Sequence, residues 1–211
     1  VTYIDPVESS PVDQLESLKS LVADMNAGSV SLLLILGDVN PVYSAPADFE
    51  FSAALDKVET RARLSRYVDE TSKRCQWQLP ELHYLESWGD ARAFDGTVSM
   101  TQPLIAPLYG GKSRVELLSA LVDEAELTAF EMLQAHCKTA WNLDDTATKF
   151  ENKWRAVLSM GIVDDTAEQA VRPAPSVRSG AAGSYTKAEA PKSKAVEVVF
   201  MADPSVGDGT F

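Results

Sequence analysis

The chain has 211 residues, of which 45% are hydrophobic and 24% are charged, as in an ordinary globular protein. Its net charge of −12 argues against nucleic acid or an anionic membrane surface as a partner, because both require basic patches. An acidic surface suits solubility or a basic protein partner.

Cysteine usage and hydropathy limit the cofactors and the membrane topology. Cys75 and Cys137 lie in no CxxC pair, so this chain alone builds neither an iron–sulfur cluster nor a cysteine zinc site, which need about four ligands. The sequence does not exclude a disulfide between them, but two buried free thiols are favoured. No run of about 18 apolar residues occurs, so we expect no membrane span. Because the chain opens on Val1 and stops just after a strand-like run, we expect a piece of a longer polypeptide.

The first 70 residues alternate between helical and strand patterns. Ser10-Pro11 predicts a helix start, and an apolar stripe at helical spacing follows as far as Met25. Residues 30–36 form a continuous apolar run, typical of a parallel strand that is covered on both faces. Residues 49–58 predict a second helix, and residues 62–68 a second strand. This order predicts an α/β fold with a partial doubly wound, Rossmann-like parallel sheet and flanking helices.

The rest of the chain divides into an irregular stretch, a helical region and a linker. Residues 83–112 follow neither helical nor, for the most part, strand periodicity, so we expect a long irregular loop across the carboxyl edge of the sheet. Ser113 and Glu116 predict a capping box, and further helices continue to Gly161. The predicted domains are therefore an α/β domain over residues 1–163, a linker or surface excursion over 164–195, and a truncated strand segment over 196–211.

Two turns at predicted strand ends carry polar side chains. Gly-Asp-Val-Asn-Pro lacks the GxGxxG spacing of a dinucleotide fingerprint. Asn40 could still contact a nucleotide or the neighbouring backbone, but a turn is favoured because Asn-Pro commonly starts turns. Asp69 could accept hydrogen bonds from a ribose or a guanine, or it could cap the following turn. These two alternatives for Asp69 carry equal weight.

Other motifs give weaker signals. His83, Glu86 and Asp90 would share one helix face and could hold a metal, but Gly89 and a proline upstream weaken the helix, so loop-capping carboxylates and a buried histidine are favoured. The Gly-Gly-Lys-Ser ending at Ser113 lacks the first glycine of a phosphate loop. GxSxG is absent as well. No catalytic set is therefore complete, which disfavours a self-contained enzyme.

Longer segments resemble a known family. LLLILGDVNPVYSAPADFEF, over residues 32–51, is similar to the segment of molybdopterin oxidoreductases in which a Rossmann-like strand ends in G-x-N-P. Residues 69–113, from DETSKRCQWQLPELHY to QPLIAPLYGGKS, resemble the family's next segment, although Gln78 stands where we expect histidine. HYLESWGD and VEVVFMADPSVGDGTF are most similar to the family of large iron–sulfur subunits of alternative complex III, a bacterial quinol:cytochrome c oxidoreductase.

The resemblance implies a fragment of a subunit on the periplasmic side of the bacterial inner membrane. Its partners would be the rest of the parent polypeptide and other subunits of a respiratory complex, and iron–sulfur clusters would lie elsewhere in the parent. Asn40, Asp69, Thr71 and His83 would edge a pocket that faces the guanine-dinucleotide end of a molybdopterin cofactor. Under the first hypothesis the pocket is a relic and the chain is structural, without a cofactor of its own. Under the second, the chain is a cofactor-binding domain of an active molybdopterin enzyme.

Overall fold

The computed structural model describes residues 3–5, 7–8, 10–122, 127–143 and 147–171. We describe the compact unit formed by Thr2–Ala170. Its helices and strands, in chain order, are α1 (Gln14–Asn26), β1 (Leu32–Leu36), α2 (Pro41–Ser44), α3 (Phe51–Leu55), β2 (Thr60–Ser65), β3 (Trp77–Pro80), β4 (Gly89–Arg92), β5 (Val98–Thr101), α4 (Arg114–Leu121), α5 (Ala129–Ala140), α6 (Ala147–Met160) and β6 (Ile162–Val163). The predicted linker beyond residue 171 and the strand segment over 196–211 lie outside the described residues, and the domain boundaries stay predictions.

A three-stranded parallel sheet, in the order β1-β2-β3, forms the first half of this unit. Helices α1 and α3 contribute to the core on one face of the sheet, where Met25, Ile35 and Leu55 are buried together. Burying one such side chain stabilises the fold by about 1.5–3 kcal/mol. The parallel strands and flanking helices confirm the predicted α/β fold. The larger doubly wound, Rossmann-like sheet stays a prediction.

Helix α1 begins later than the predicted start at Ser10-Pro11. Asp13 is its N-cap, and its Oδ1 accepts hydrogen bonds from the amides of Leu15 and Glu16, both at 3.0 Å. A carboxylate at this position satisfies two amides that have no partner within the helix, so Asp13 sets the boundary instead of Ser10. The other predicted elements differ from the observed ones by a few residues at each end, apart from the central stretch.

The central stretch contains a β-hairpin, so the predicted long irregular loop is wrong for this part. Strands β4 and β5 pair antiparallel, and β6 joins β5. The turn holds Gly96 at φ +87°, and Asp95 Oδ1 accepts a hydrogen bond from the Thr97 amide at 2.9 Å. Asp-Gly is a hairpin signal, but these short strands lack the apolar alternation that would have revealed them.

Helices α5 and α6 enclose a second core that is rich in aromatic rings. Phe150 and Trp154 are buried, and their ring centroids lie 5.8 Å apart. Capping boxes form at Ser113 with Glu116, as predicted, and at Thr128 with Glu131. None of the described helices is long and apolar enough to cross a membrane.

Candidate functional site

Charged side chains follow all three parallel strands at their carboxyl ends. Asp38 follows β1 and accepts hydrogen bonds from Arg66, which follows β2, with 2.7 Å between Arg66 Nε and Asp38 Oδ2. Glu81 follows β3, and its Oε1 accepts a 2.5 Å hydrogen bond from Arg114 Nε at the start of α4. Burial raises the pKa of Asp38, but the hydrogen bonds and charge of Arg66 outweigh it, so the pKa lies below its usual value. The edge is therefore lined by paired charges.

Gly37 allows Arg114 to approach this edge. Its φ of +85° is a conformation that L side chains rarely adopt, and a Cβ at this position would lie 2.6 Å from Arg114 Nη2. The sequence places glycine where the guanidinium packs over the strand end. We infer that a larger residue at position 37 would displace Arg114 and weaken its ion pair with Glu81.

Asn40 and Thr71 are in direct contact at the ends of β1 and β2. Thr71 Oγ1 donates to Asn40 Oδ1 at 2.7 Å and accepts from the Val42 amide at 3.1 Å. Asn40 Nδ2 donates to Glu70 Oε2 at 2.7 Å, and this hydrogen bond lowers the pKa of the exposed Glu70 carboxyl. Thr71 is fully buried. Its hydroxyl therefore serves internal contacts, and Asn40 keeps one amide hydrogen for any further partner.

Asp69 faces the interior of the protein. Its Oδ2 accepts a 2.6 Å hydrogen bond from Nη2 of Arg63, a fully buried arginine of β2. Its Oδ1 accepts from the amide and the hydroxyl of Ser72, at 2.9 and 3.1 Å. Asp69 therefore caps the turn after β2 and neutralises a buried cation, and neither of its oxygens is free of internal contacts.

His83 lies away from this group, in the loop after β3. Its Nδ1 accepts a hydrogen bond from the Leu85 amide at 3.2 Å. Glu86 holds the same loop, because its two carboxylate oxygens accept from the amides of His83 at 2.8 Å and Leu108 at 2.9 Å. These bonds lower the pKa of Glu86. Glu86 thus caps loop backbone, as the sequence favoured, but His83 is half-buried, so the predicted buried histidine is wrong.

No metal centre forms from His83, Glu86 and Asp90. Asp90 lies on β4 opposite Met100, while Glu86 is engaged with backbone amides. Within the described residues, no group of three histidine, cysteine, aspartate or glutamate side chains is arranged to hold a metal ion. Cys75 and Cys137 are free thiols, as favoured, but only Cys137 is buried; Cys75 is half-buried. Burial raises the pKa of Cys137 to about 11.

Two hollows lie beside these residues. One, of about 620 Å³, is lined in part by Glu70, Lys73 and Arg74, and its lining does not include Asn40, Asp69 or Thr71. The other, of about 370 Å³, lies at the carboxyl ends of β2 and β3, and His83 lines it. The lining of the second includes none of Asn40, Asp69 and Thr71. The structure therefore brings Asn40 and Thr71 together and places His83 at a different site.

The fit of a guanine dinucleotide can be judged from these contacts. A carboxylate can accept from the ring N–H groups of guanine, but Asp69 already accepts three internal hydrogen bonds, one at Oδ2 and two at Oδ1. Thr71 is buried, and His83 lies in the other cleft. As arranged here, the four predicted residues do not fit the group as one site, and their role in binding it stays a prediction.

Three residues of this edge were missed by sequence reasoning. Arg66, Glu81 and Arg114 form ion pairs, and the second oxygen of Glu81, Oε2, is buried and has no hydrogen-bond partner among the described residues. Glu81 and Arg114 are 33 positions apart, so no local pattern marks their contact. The signal that could have found Glu81 and Arg66 is their position directly after parallel strands.

Comparison with known proteins adds one finding to this geometry. No protein-family model matches the chain. The menaquinone reductase, molybdopterin-binding-like subunit of Nitratidesulfovibrio vulgaris is 29% identical over 106 residues. The match covers 48% of this chain and 15% of that relative, so the chain spans a small part of the relative's length. This similarity supports a relationship to molybdopterin oxidoreductase-like respiratory subunits.

Proposed function

We propose that this chain is part of a molybdopterin oxidoreductase-like subunit of a membrane-associated respiratory complex, a quinol:cytochrome c oxidoreductase. It would have a structural and assembly role and perform no chemistry of its own. The chain would lie on the periplasmic side of a bacterial inner membrane, with the rest of the parent polypeptide and other subunits as partners. The similarity to a subunit of menaquinone reductase supports a respiratory oxidoreductase-related role.

This proposal rests on the observation that polar side-chain atoms at the sheet edge already form hydrogen bonds within the protein. A binding site normally presents a few convergent polar groups that are free to meet a ligand. Here the hydroxyl of Thr71 and both carboxylate oxygens of Asp69 already have protein partners. Such contacts stabilise the loops after β1 and β2. They favour a scaffold over a cofactor site at this position.

A second function, a cofactor-binding domain of an active molybdopterin enzyme, is favoured by one feature. The hollow of about 620 Å³ brings the cations Arg61, Lys73 and Arg74 close to Glu70, whose carboxylate is exposed. Arg61 and Arg74 are paired with Asp56, which lines the same hollow, so Lys73 is the cation best placed to meet a phosphate group, and Glu70 could accept from a guanine. In that case Glu70, rather than Asp69, would supply the acid. Molybdopterin guanine dinucleotide would then be bound by the parent.

The deciding experiment is the metal content and activity of the full-length protein purified from its native membranes. The proposal predicts abundant iron, no molybdenum, and quinol-dependent reduction of cytochrome c by the purified complex. About one molybdenum per chain would favour the second function instead. Purification without partner subunits, or without quinol:cytochrome c activity, would contradict the assignment to such a complex.

A ligand titration of the 211-residue chain tests the sheet edge directly. We expect millimolar GMP to leave the melting temperature unchanged relative to AMP, which serves as the control nucleotide. Binding would raise the free energy of unfolding by RT ln(1 + [L]/Kd), so a site with millimolar affinity would raise the melting temperature measurably. A rise of several degrees with GMP alone, lost in Glu70→Gln, would support the second function.

A further inference from the structure

The parallel sheet buries one of its faces and leaves part of the other face open. Neighbouring residues of a strand point to opposite faces, so Leu34 points away from the core that contains Ile35. Leu34, Ala62 and Trp77 are in register across β1, β2 and β3, so they share this second face. Trp77 is 63% exposed, and Leu32, two residues before Leu34 on the same face, is 56% exposed. The second face therefore carries apolar side chains that solvent reaches.

These four residues form a band at the amino-terminal half of the sheet. We call this band, formed by Leu32, Leu34, Ala62 and Trp77, the outer band. Leu64, two residues after Ala62, is fully buried, so the face is closed nearer to the carboxyl ends of the strands. Neither core among the described residues includes any residue of the outer band. The open area is therefore limited to one end of the sheet and consists of aliphatic and aromatic side chains.

The width of the outer band fits one α-helix. Neighbouring strands lie about 4.8 Å apart, so three of them span about 10 Å, which is the diameter of an α-helix with its side chains. Parallel sheets occur almost only with both faces covered, and the crossover connections that cover them are usually helices. Helices α1 and α3 contribute to the core of the first face, so the outer band requires a further helix.

The parent polypeptide, rather than a second copy of this chain, is the source that fits this surface. This step rests on the proposed function, in which the chain is one part of a longer polypeptide. The match to the menaquinone reductase subunit covers 15% of that relative, so most of the relative's length lies outside the matched region. A segment of the same polypeptide reaches the outer band at a high effective concentration, because the chain links the two. Two copies of this chain would each carry a net charge of −12 and would repel each other.

We propose that the outer band docks an amphipathic α-helix of the parent polypeptide from outside residues 1–211. The apolar side of this helix, with residues at positions i, i+3, i+4 and i+7, packs on Leu32, Leu34 and Trp77. The sheet then lies between two helical layers. This surface gives the proposed structural role of the chain a defined place and a defined kind of partner.

Oxidation by hydroxyl radicals measures whether Trp77 becomes covered in the parent. Trp154 is the matched control, because it is the same residue type and is only 4% exposed within the second core. In the 211-residue chain we expect Trp77 to be oxidised several-fold faster than Trp154. In the full-length protein purified from its native membranes, we expect the two rates to be similar. Faster oxidation of Trp77 in the full-length protein, or equal rates in the 211-residue chain, would overturn the proposal.

A photo-reactive residue identifies what covers the outer band. We would place p-benzoylphenylalanine at position 77 of the full-length protein and map the cross-linked peptides by mass spectrometry. The proposal predicts cross-links to parent residues outside 1–211 that recur at helical spacing. Cross-links to another subunit, to a second copy, or to residues 1–211 of the same chain would overturn it. If this variant does not fold, the same photo-reactive residue at position 32 replaces it.

The outcome of these experiments is separate from that of the proposed function. Neither readout depends on iron, molybdenum or quinol:cytochrome c activity, which test the proposed function. A Trp77 that is covered by a parent helix, in a protein without that activity, would contradict the proposed function and support this inference. Full activity with Trp77 still exposed would do the opposite.

Discussion

Replacing Asp69 by asparagine tests whether the acid after β2 is a structural anchor. Arg63 is fully buried, and Asp69 Oδ2 lies 2.6 Å from its Nη2. Asparagine has a single oxygen acceptor, which satisfies the Ser72 amide or Arg63 but not both. With the oxygen on the Ser72 amide, the guanidinium would keep its 3.1 Å bond to Ser65 Oγ, and its Nη1 has no hydrogen-bond partner among the described residues. Asp69→Asn would therefore leave a buried charge without its counter-ion.

The size of the effect follows from this burial. Removing one partner of a buried ion pair costs about 3–5 kcal/mol. The side chain of Asp69 is 20% exposed, so water can reach it in part, and we expect the lower end of that range, about 3 kcal/mol. With a urea m-value of about 2 kcal/mol per molar, the midpoint of unfolding would fall by about 1.5 M.

Urea denaturation followed by circular dichroism measures this shift, and Asp56→Asn is the matched control. Asp56 pairs with Arg74 at 2.5 Å and with Arg61 at 3.5 Å. The side chain of Asp56 is 48% exposed and that of Arg74 is 42% exposed, so we expect a loss of less than about 1 kcal/mol there. The double variant Arg63→Met/Asp69→Asn removes both charges and should recover part of the loss. If Asp69→Asn costs no more than Asp56→Asn, the structural role of Asp69 is wrong.

Three further predictions concern hydrogen bonds and titrating groups. Thr71→Val removes the buried hydroxyl that bridges Asn40 and Val42. We expect urea denaturation to show a free energy of unfolding that is lower by about 1–3 kcal/mol. No change would show that this bridge does not stabilise the fold. The pKa of Glu86 is lowered by hydrogen bonds from two backbone amides. Its contribution to stability is therefore present above the usual carboxyl pKa and is lost as the pH falls through the lowered value. A carboxyl titration by ¹³C NMR should show the lowered pKa, and an ordinary value would contradict this prediction. Burial raises the pKa of Cys137 to about 11, so the stability that its buried thiol contributes is lost as the pH rises from about 9 to 11. Cys137→Val should make the free energy of unfolding less dependent on pH in this range. An unchanged dependence would refute the prediction.

The sequence was sufficient where a structural signal is local. The capping box of Ser113 and Glu116 is defined by spacing alone, and the apolar run that became Leu32–Leu36 needs only its neighbours to be recognised as a parallel strand. Even there, the predicted helix start at Ser10-Pro11 lies before the observed N-cap, Asp13. Both residue types cap helices well, and only the observed backbone shows which of them does so.

The candidate site depended on contacts between distant positions. Asn40 and Thr71 are 31 positions apart, and their hydrogen bond exists because β1 and β2 are parallel neighbours that end at the same edge. The strand order alone would have brought them together. It would not have shown that Asp69 turns inward to Arg63, because that orientation depends on a buried guanidinium within the sheet. Polarity at a strand end therefore locates an edge without showing which atoms remain free.

The arginines at this edge give the strongest argument about what it can bind. A dinucleotide carries phosphate groups, and a phosphate site needs cations or amides that are free to receive it. Arg63, Arg66 and Arg114 each have a carboxylate partner, so an anion would have to displace that carboxylate from a short contact. An uncharged ligand faces no such competition. The pairing of these arginines therefore disfavours a dinucleotide at the ends of these strands.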